Sequence, residues 1–136
     1  MAARKVGYVA FKVRRRAGEG AKVLGALRDA GVNLLAFTGF PDTGGRAQID
    51  LVTDDLAGVR RVARKEGWRI GPAKKAFLIQ GNDAVGAVYR EFRKLADARI
   101  TVTAADAVIA GKGRYGMILW VKPRDYARAA RVLRAH

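Results

Sequence analysis

Apolar and polar residues alternate from the start of the chain: Val9, Phe11 and Val13 share one face across residues 6–14, the period of a β-strand. The period then changes. Ala21, Leu24, Leu27 and Arg28 fall at helical spacing over residues 18–30, and Gly31 stops that helix where a left-handed backbone is wanted. Asn33 to Phe40 predicts a second strand, Pro41-Asp42-Thr43-Gly44-Gly45 a hairpin turn, and Arg46 to Thr53 a third strand. Asp54 has the chemistry of an N-cap for a helix over 55–66, with Leu56, Val59, Val62 and Ala63 inward. The second half repeats this order: strand 75–80, helix 84–97, strand 99–109, turn 110–113, strand 114–122 and helix 123–135, with Pro123 at the first helical position.

The repetition has an offset. Shifted by 68 residues, half of 136, Asp29-Ala30 lands on Asp97-Ala98, Leu27 on Leu95, Gly45-Arg46 on Gly113-Arg114 and Gly18 on Gly86. Leu24 meets Phe92, Val32 meets Ile100, Ile49 meets Met117 and Leu51 meets Leu119, without a gap from residue 9 to residue 52. A two-residue shift then aligns Arg61-Val62 with Arg131-Val132. The signal lies in the agreement of apolar and glycine positions.

Each half is therefore strand-helix-strand-strand-helix with one more strand wanted, the split βαβ order of ferredoxin-like domains. The expected fold class is α+β: tandem ferredoxin-like βαββαβ repeats, antiparallel sheets with helices on one face, the first repeat over residues 1–71 and the second over 72–136. Trp68-Arg69-Ile70 is the candidate last strand of the first repeat. The chain stops at His136 where the second repeat needs its equivalent, so that strand is expected to be missing, or borrowed from elsewhere in the chain or from a partner.

Composition removes several chemistries. There is no Cys and no Ser, and the one His is His136, so disulfides, thiolate metal sites and Ser-His or Cys-His catalysis are excluded. The 12 carboxylates scatter, and no phosphate-binding Gly-x-x-x-x-Gly-Lys loop occurs, so no enzymatic activity and no cofactor is expected. No apolar run reaches the roughly 18 residues of a membrane span. The basic N-terminus runs into an alternating strand and not into a signal core, which reads as cytoplasmic.

Residues 81–101, from Gly81-Asn82-Asp83-Ala84-Val85-Gly86 through the helix to Ala98-Arg99-Ile100-Thr101, resemble an ACT domain. The family's opening is a strand, Asp-x-Pro-Gly, then an amphipathic helix ending Ala-Gly-Ile-Asn-Ile; here Val85 replaces the Pro. In the first half Ala30-Gly31-Val32-Asn33-Leu34 matches the helix end, while Arg15-Arg16-Ala17-Gly18 keeps only the loop Gly. The resemblance implies a stand-alone regulatory module of two ACT-like repeats, with no catalytic domain attached, that binds a small molecule, an amino acid, at the first strand-helix loop. Carried over by position, it points to Gly18 and Gly86 in the loops, Asn33 and Thr101 at the start of the second strand, and Asp83 as partner for an ammonium group. A loop glycine lets backbone amides approach a ligand, and a helix N-terminus favours a carboxylate. The counterpart of Asp83 is Arg15, which would repel an ammonium, so the two loops are not expected to bind the same ligand equally. Plain turn roles for Gly18 and Gly86, and local backbone bonding for Asn33, remain open alternatives.

The charge balance, 27 basic against 12 acidic residues for a net charge of +15, raises a second partner class, nucleic acid. Ferredoxin-like sheets stack bases on aromatics of their central strands. Lys112-Gly113-Arg114-Tyr115-Gly116-Met117-Ile118-Leu119-Trp120 echoes that motif, but Tyr115 and Met117 share the face of Leu119, which the repeat assigns to the core. The series Arg60, Arg61, Arg64, Lys65 and Arg124, Arg128, Arg131, Arg134 reads as solvated helix faces. Leu78, Ile118 and Trp120 fall on the opposite sheet face. A bare apolar face there would invite aggregation, so it is expected to be an interface, covered by the other repeat or by a second chain in a homodimer.

Overall fold

The computed structural model describes all residues, Met1–His136. Its elements are β1 (Ala2–Arg14), α1 (Glu19–Asp29), β2 (Ala36–Asp42), β3 (Arg46–Thr53), α2 (Leu56–Glu66), β4 (Lys74–Asn82), α3 (Ala87–Asp97), β5 (Val102–Gly111), β6 (Arg114–Val121), a 3₁₀ turn (Pro123–Asp125) and α4 (Tyr126–Leu133). The chain forms two compact units, one of Gly7–Lys74 and one of Met1–Val6 with Lys75–His136. The expected division at 71/72 thus falls three residues before the observed one at 74/75, and the first six residues belong with the second repeat.

In the unit Gly7–Lys74 the strands run in the order β2-β3-β1, antiparallel, with Val9 opposite Leu51 and Phe11 opposite Ile49. Its core is Val9, Phe11, Val23, Leu27, Val32, Ile49, Leu51, Val59 and Val62. In the other unit the order is β5-β6-β4, again antiparallel, with Phe77 opposite Leu119 and Ile79 opposite Met117. The Met1–Val6 end of β1 lies beside β4. This answers the question of the missing strand: the second repeat takes its last strand from the start of the chain. Ala3 is buried in its core, and Lys5 and Ala3 exchange backbone hydrogen bonds with His136.

The two cores superpose in sequence. Val9, Phe11, Leu27, Val32, Ile49 and Leu51 recur 68 residues later as Phe77, Ile79, Leu95, Ile100, Met117 and Leu119. Backbone geometry follows the same offset: Gly18 and Gly86 have φ of 90° and 77°, and Gly31 and Arg99 have φ of 72° and 58°. Each unit has the ferredoxin-type order and antiparallel sheet expected from the sequence.

Four local expectations are corrected. The inward face of α1 is Val23 and Leu27, an i, i+4 pair, while Leu24 is exposed. The cap of α2 is Asp55 and not Asp54; its carboxylate accepts from the Gly58 amide at 2.9 Å. Residues 68–70 form no strand, and the Gly71 amide donating to the Ala10 carbonyl at 2.9 Å is what joins this segment to β1. After the third strand the offset falls to 67 and does not rise to 70. Val62-Ala63 corresponds to buried Ala129-Ala130, and the bond from Trp68 N–H to the Ala63 carbonyl recurs from Ala135 to Ala130.

Candidate functional site

Gly86 caps the N-terminus of α3 in the left-handed region, and no side chain accepts from the amides of its first turn. No acidic residue stands in that turn. The Ala87 amide donates to the Ala84 carbonyl at 3.1 Å, and the later amides of the first turn, with no side-chain cap, can meet an anion. Asp83 and Gly86 line one cavity of about 230 Å³ with Val88 of α3, Ala107, Val108 and Ile109 of β5, and Tyr115 of β6. Asp83 is placed there by its own amide, which donates to the Gly113 carbonyl at 2.7 Å across the mouth of the β5–β6 hairpin. The structure thus brings two of the expected site residues together.

It does not bring in Thr101, which is exposed just before β5 and lines no part of this cavity. One residue missed by sequence reasoning, Tyr115, stands here instead, and Glu91, outside the cavity lining, acts on it electrostatically. Tyr115 closes one side of the cavity; burial, and then the charge of Glu91, push its hydroxyl above the ordinary tyrosine pKa. Glu91, one turn into α3, is only 3% exposed, and its Oε2 accepts no hydrogen bond. The Lys94 ammonium lies 3.6 Å from that oxygen. The position 68 residues earlier is Val23, so the signal was a carboxylate at a core position of the repeat.

The equivalent loop in the other unit is built differently. Gly18 caps α1, but Glu19 occupies the first turn and accepts from the Arg16 guanidinium at 2.8 Å, which holds its carboxyl below the usual range. This first turn thus carries a carboxylate of its own, paired with Arg16, where the first turn of α3 has none. Asn33 lies three residues before β2, exposed, and its carbonyl accepts from the Thr53 hydroxyl at 2.7 Å. The cleft of this unit, about 650 Å³, is lined by Phe11 and Lys12 of β1, Glu19 and Lys22 of α1, Arg46 and Gln48 of β3, and Trp68 and Arg69 after α2. Gly18 and Asn33 are not among its walls. Trp68 stacks on Phe11 with ring centroids 5.0 Å apart.

Tyr115 and Met117 lie in the helix-packed core, so neither offers a ring or surface to a base. Ile118 and Trp120 are 4% and 8% exposed in the single chain, and Leu78 is half-buried. The basic residues of α2 and α4 are exposed, as a solvated face requires. No group of acidic or histidine side chains is arranged to hold a metal ion, and no helix is long and apolar enough to cross a membrane.

No protein-family profile matches the chain, and no curated protein matches it in sequence. Solved structures do match in fold. Protein BT0572 from Bacteroides thetaiotaomicron is similar with a TM-score of 0.79 at 13% identity, over 97% of this chain and 88% of that one. The ligand-free regulatory subunit of aspartate kinase from Thermus thermophilus is similar with a TM-score of 0.63 at 16% identity, over 98% and 93% of the two chains. The aspartate kinase of Clostridium acetobutylicum, described as an allosteric enzyme, gives 0.60 at 15% identity, over 97% of this chain and 33% of that one. These likenesses show the fold alone, an α+β architecture of ferredoxin-type units.

Proposed function

We propose that the protein is a regulatory small-molecule sensor that binds an amino acid at the loop entering α3. The observation that carries this reading is the shared cavity of Asp83 and Gly86. An amino acid presents two opposite charges a few ångströms apart. Its carboxylate suits the uncapped first turn of α3, and its ammonium suits Asp83. Ala107, Val108 and Ile109 give the cavity an apolar wall for a side chain. Gly86 has open space where a Cβ would project, which leaves room for the ligand beside the backbone. The likeness to regulatory subunits of aspartate kinase supports a regulatory role over a catalytic one. The loop at Gly18, with Arg15 and the Arg16–Glu19 pair, is the weaker amino-acid site.

A homodimer belongs to the same reading. β5 lies at the end of the strand order, and Val108 and Ile109 are exposed on it. A second copy covering them would also close the cavity mouth. Light scattering at micromolar concentration tests this: the reading expects a dimer that Val108→Lys with Ile109→Lys converts to monomer, and a monomeric parent protein contradicts it.

Thermal-shift titration against the amino acids tests the ligand. One present at 100 times its dissociation constant adds about 2.7 kcal/mol of stability. Gly86→Asn keeps a residue type that tolerates left-handed backbone while filling the ligand space, so it should remove the ligand-induced shift.

A further inference from the structure

At the far end of β1 the cation density rises sharply. Lys12, Arg14, Arg15 and Arg16 follow one another toward the chain reversal, and Arg46 opens β3 on the neighbouring strand. The register sets Arg14 directly opposite Arg46. Like charges facing each other across an antiparallel pair destabilise it. These side chains, with Val13 and the hairpin glycines Gly44 and Gly45, enclose a groove of about 520 Å³ that no carboxylate lines. Lys12 pairs with Asp42 and Arg16 with Glu19; Arg46 stands opposite Asp42 in the β2–β3 register and Arg14 acts on Glu19 at longer range, so two carboxylates at the groove's edge face five cationic side chains. The Arg15 amide donates to the Gly45 carbonyl at 2.9 Å, so loop and hairpin hold each other and the groove's two walls are fixed.

We infer that this groove binds a compact polyphosphate, a group of two or more linked phosphates as in a nucleoside triphosphate. Guanidinium groups present forked donors that match phosphate oxygens two at a time. A single anion of several charges can bridge Arg14, Arg15 and Arg46 and relieve the confrontation across the strands. A nucleic-acid strand fits less well, because the adjoining cleft, which shares Lys12, Val13 and Arg46 with the groove, brings in Glu19 and Glu66. Their charge would oppose a phosphate backbone continuing into that cleft, whereas a short polyphosphate ends within the groove. The two quasi-equivalent loops would then serve different anions. The groove stands independently of the amino-acid site, since none of its walls is shared with the cavity at Asp83.

Calorimetric titration of the full chain with inorganic tripolyphosphate tests this, with sulfate, citrate and a twelve-nucleotide thymidine strand as comparison probes. The expected result is saturable one-to-one binding of tripolyphosphate, weakened at least about tenfold by Arg15→Gln with Arg46→Gln. Arg60→Gln with Arg64→Gln, on the exposed face of α2, should leave it unchanged. Arg15→Gln alone, in the exposed loop after β1, keeps the test valid should the substitution in β3 impair folding. Equal weakening by the α2 pair would overturn the site in favour of diffuse charge. Citrate bound as tightly as tripolyphosphate would overturn the phosphate assignment. Uptake of the thymidine strand through Arg15 and Arg46, without saturable tripolyphosphate binding, would overturn it in favour of a nucleic-acid groove.

Discussion

The Lys5 amide donates to the His136 carbonyl at 2.9 Å, tying the first strand of the chain to its last residue. Around this bond Ala3 enters the core that holds Phe77, Leu119 and Leu133. The N-terminal strand therefore completes the second repeat, and its loss should be felt there.

Ala3→Asp puts an unpaired carboxylate into that core. It should cost at least about 2 kcal/mol in denaturant unfolding, since burying a polar group without a partner costs in that range. Ala2→Asp, at an exposed neighbour on the same strand, should change stability by less than about 0.5 kcal/mol. Equal effects at both positions would mean that this strand is not part of the core.

Glu91 is a buried carboxylate at a position where the other repeat has Val23. Its Oε2 has no hydrogen-bond partner and its ion-pair neighbour Lys94 is half exposed, so an apolar residue there removes the cost of burying a carboxylate without stranding a buried charge. Glu91→Val should therefore raise the melting temperature. Should it also abolish amino-acid binding, Glu91 acts beside Tyr115 in the ligand site; unchanged binding assigns it to structure alone.

Burial pushes the hydroxyls of Tyr8, Tyr115 and Tyr126 above the ordinary value of about 10. A group whose folded pKa is raised contributes stability below its unfolded pKa and loses it as pH rises through the folded one. Stability should therefore fall above about pH 10, where unfolded tyrosines ionise more readily. Tyr115→Phe should reduce that alkaline loss. Tyr126 also donates to the Ala76 carbonyl at 3.0 Å, so Tyr126→Phe, which keeps the ring stacked on Phe77, should additionally cost about 1 kcal/mol at neutral pH. Urea midpoints at pH 7 and pH 11 check both.

Asp55→Ala removes the carboxylate that accepts from the Gly58 amide and should cost about 1 kcal/mol. Gly58 itself has no room for a larger residue, because a Cβ there would press on Asp55 and come within 2.8 Å of Val32. Gly58→Ala should be destabilising in the same denaturation assay despite alanine's better helix propensity.

The repeat, the element order and most strand cores were legible because alternation and offset act on many residues at once. The face of α1 was misread because Leu24 looks as apolar as Val23, and only the packing against β1 and β3 decides between i, i+3 and i, i+4 spacing. The drop of the offset to 67 was hidden because Arg61-Val62 and Arg131-Val132 match in letters while burial follows Ala129-Ala130. The origin of the second repeat's last strand was not legible, because strand pairing between residues 2–6 and 75–82 leaves no local pattern. At the site, Asp83 and Gly86 were found by position, whereas Tyr115 reaches their cavity through cross-strand register with Gly81, a relation only the fold supplies.

The central claim is that the loop entering α3 is an amino-acid sensor, and calorimetric titration of the full chain with each amino acid in turn tests it most directly. The account predicts saturable binding of at least one of them, one site per chain, abolished by Gly86→Asn and weakened at least about tenfold by Asp83→Asn, which deletes one charge-assisted contact. Absence of binding by every amino acid at millimolar concentration, or binding untouched by both substitutions, would contradict it.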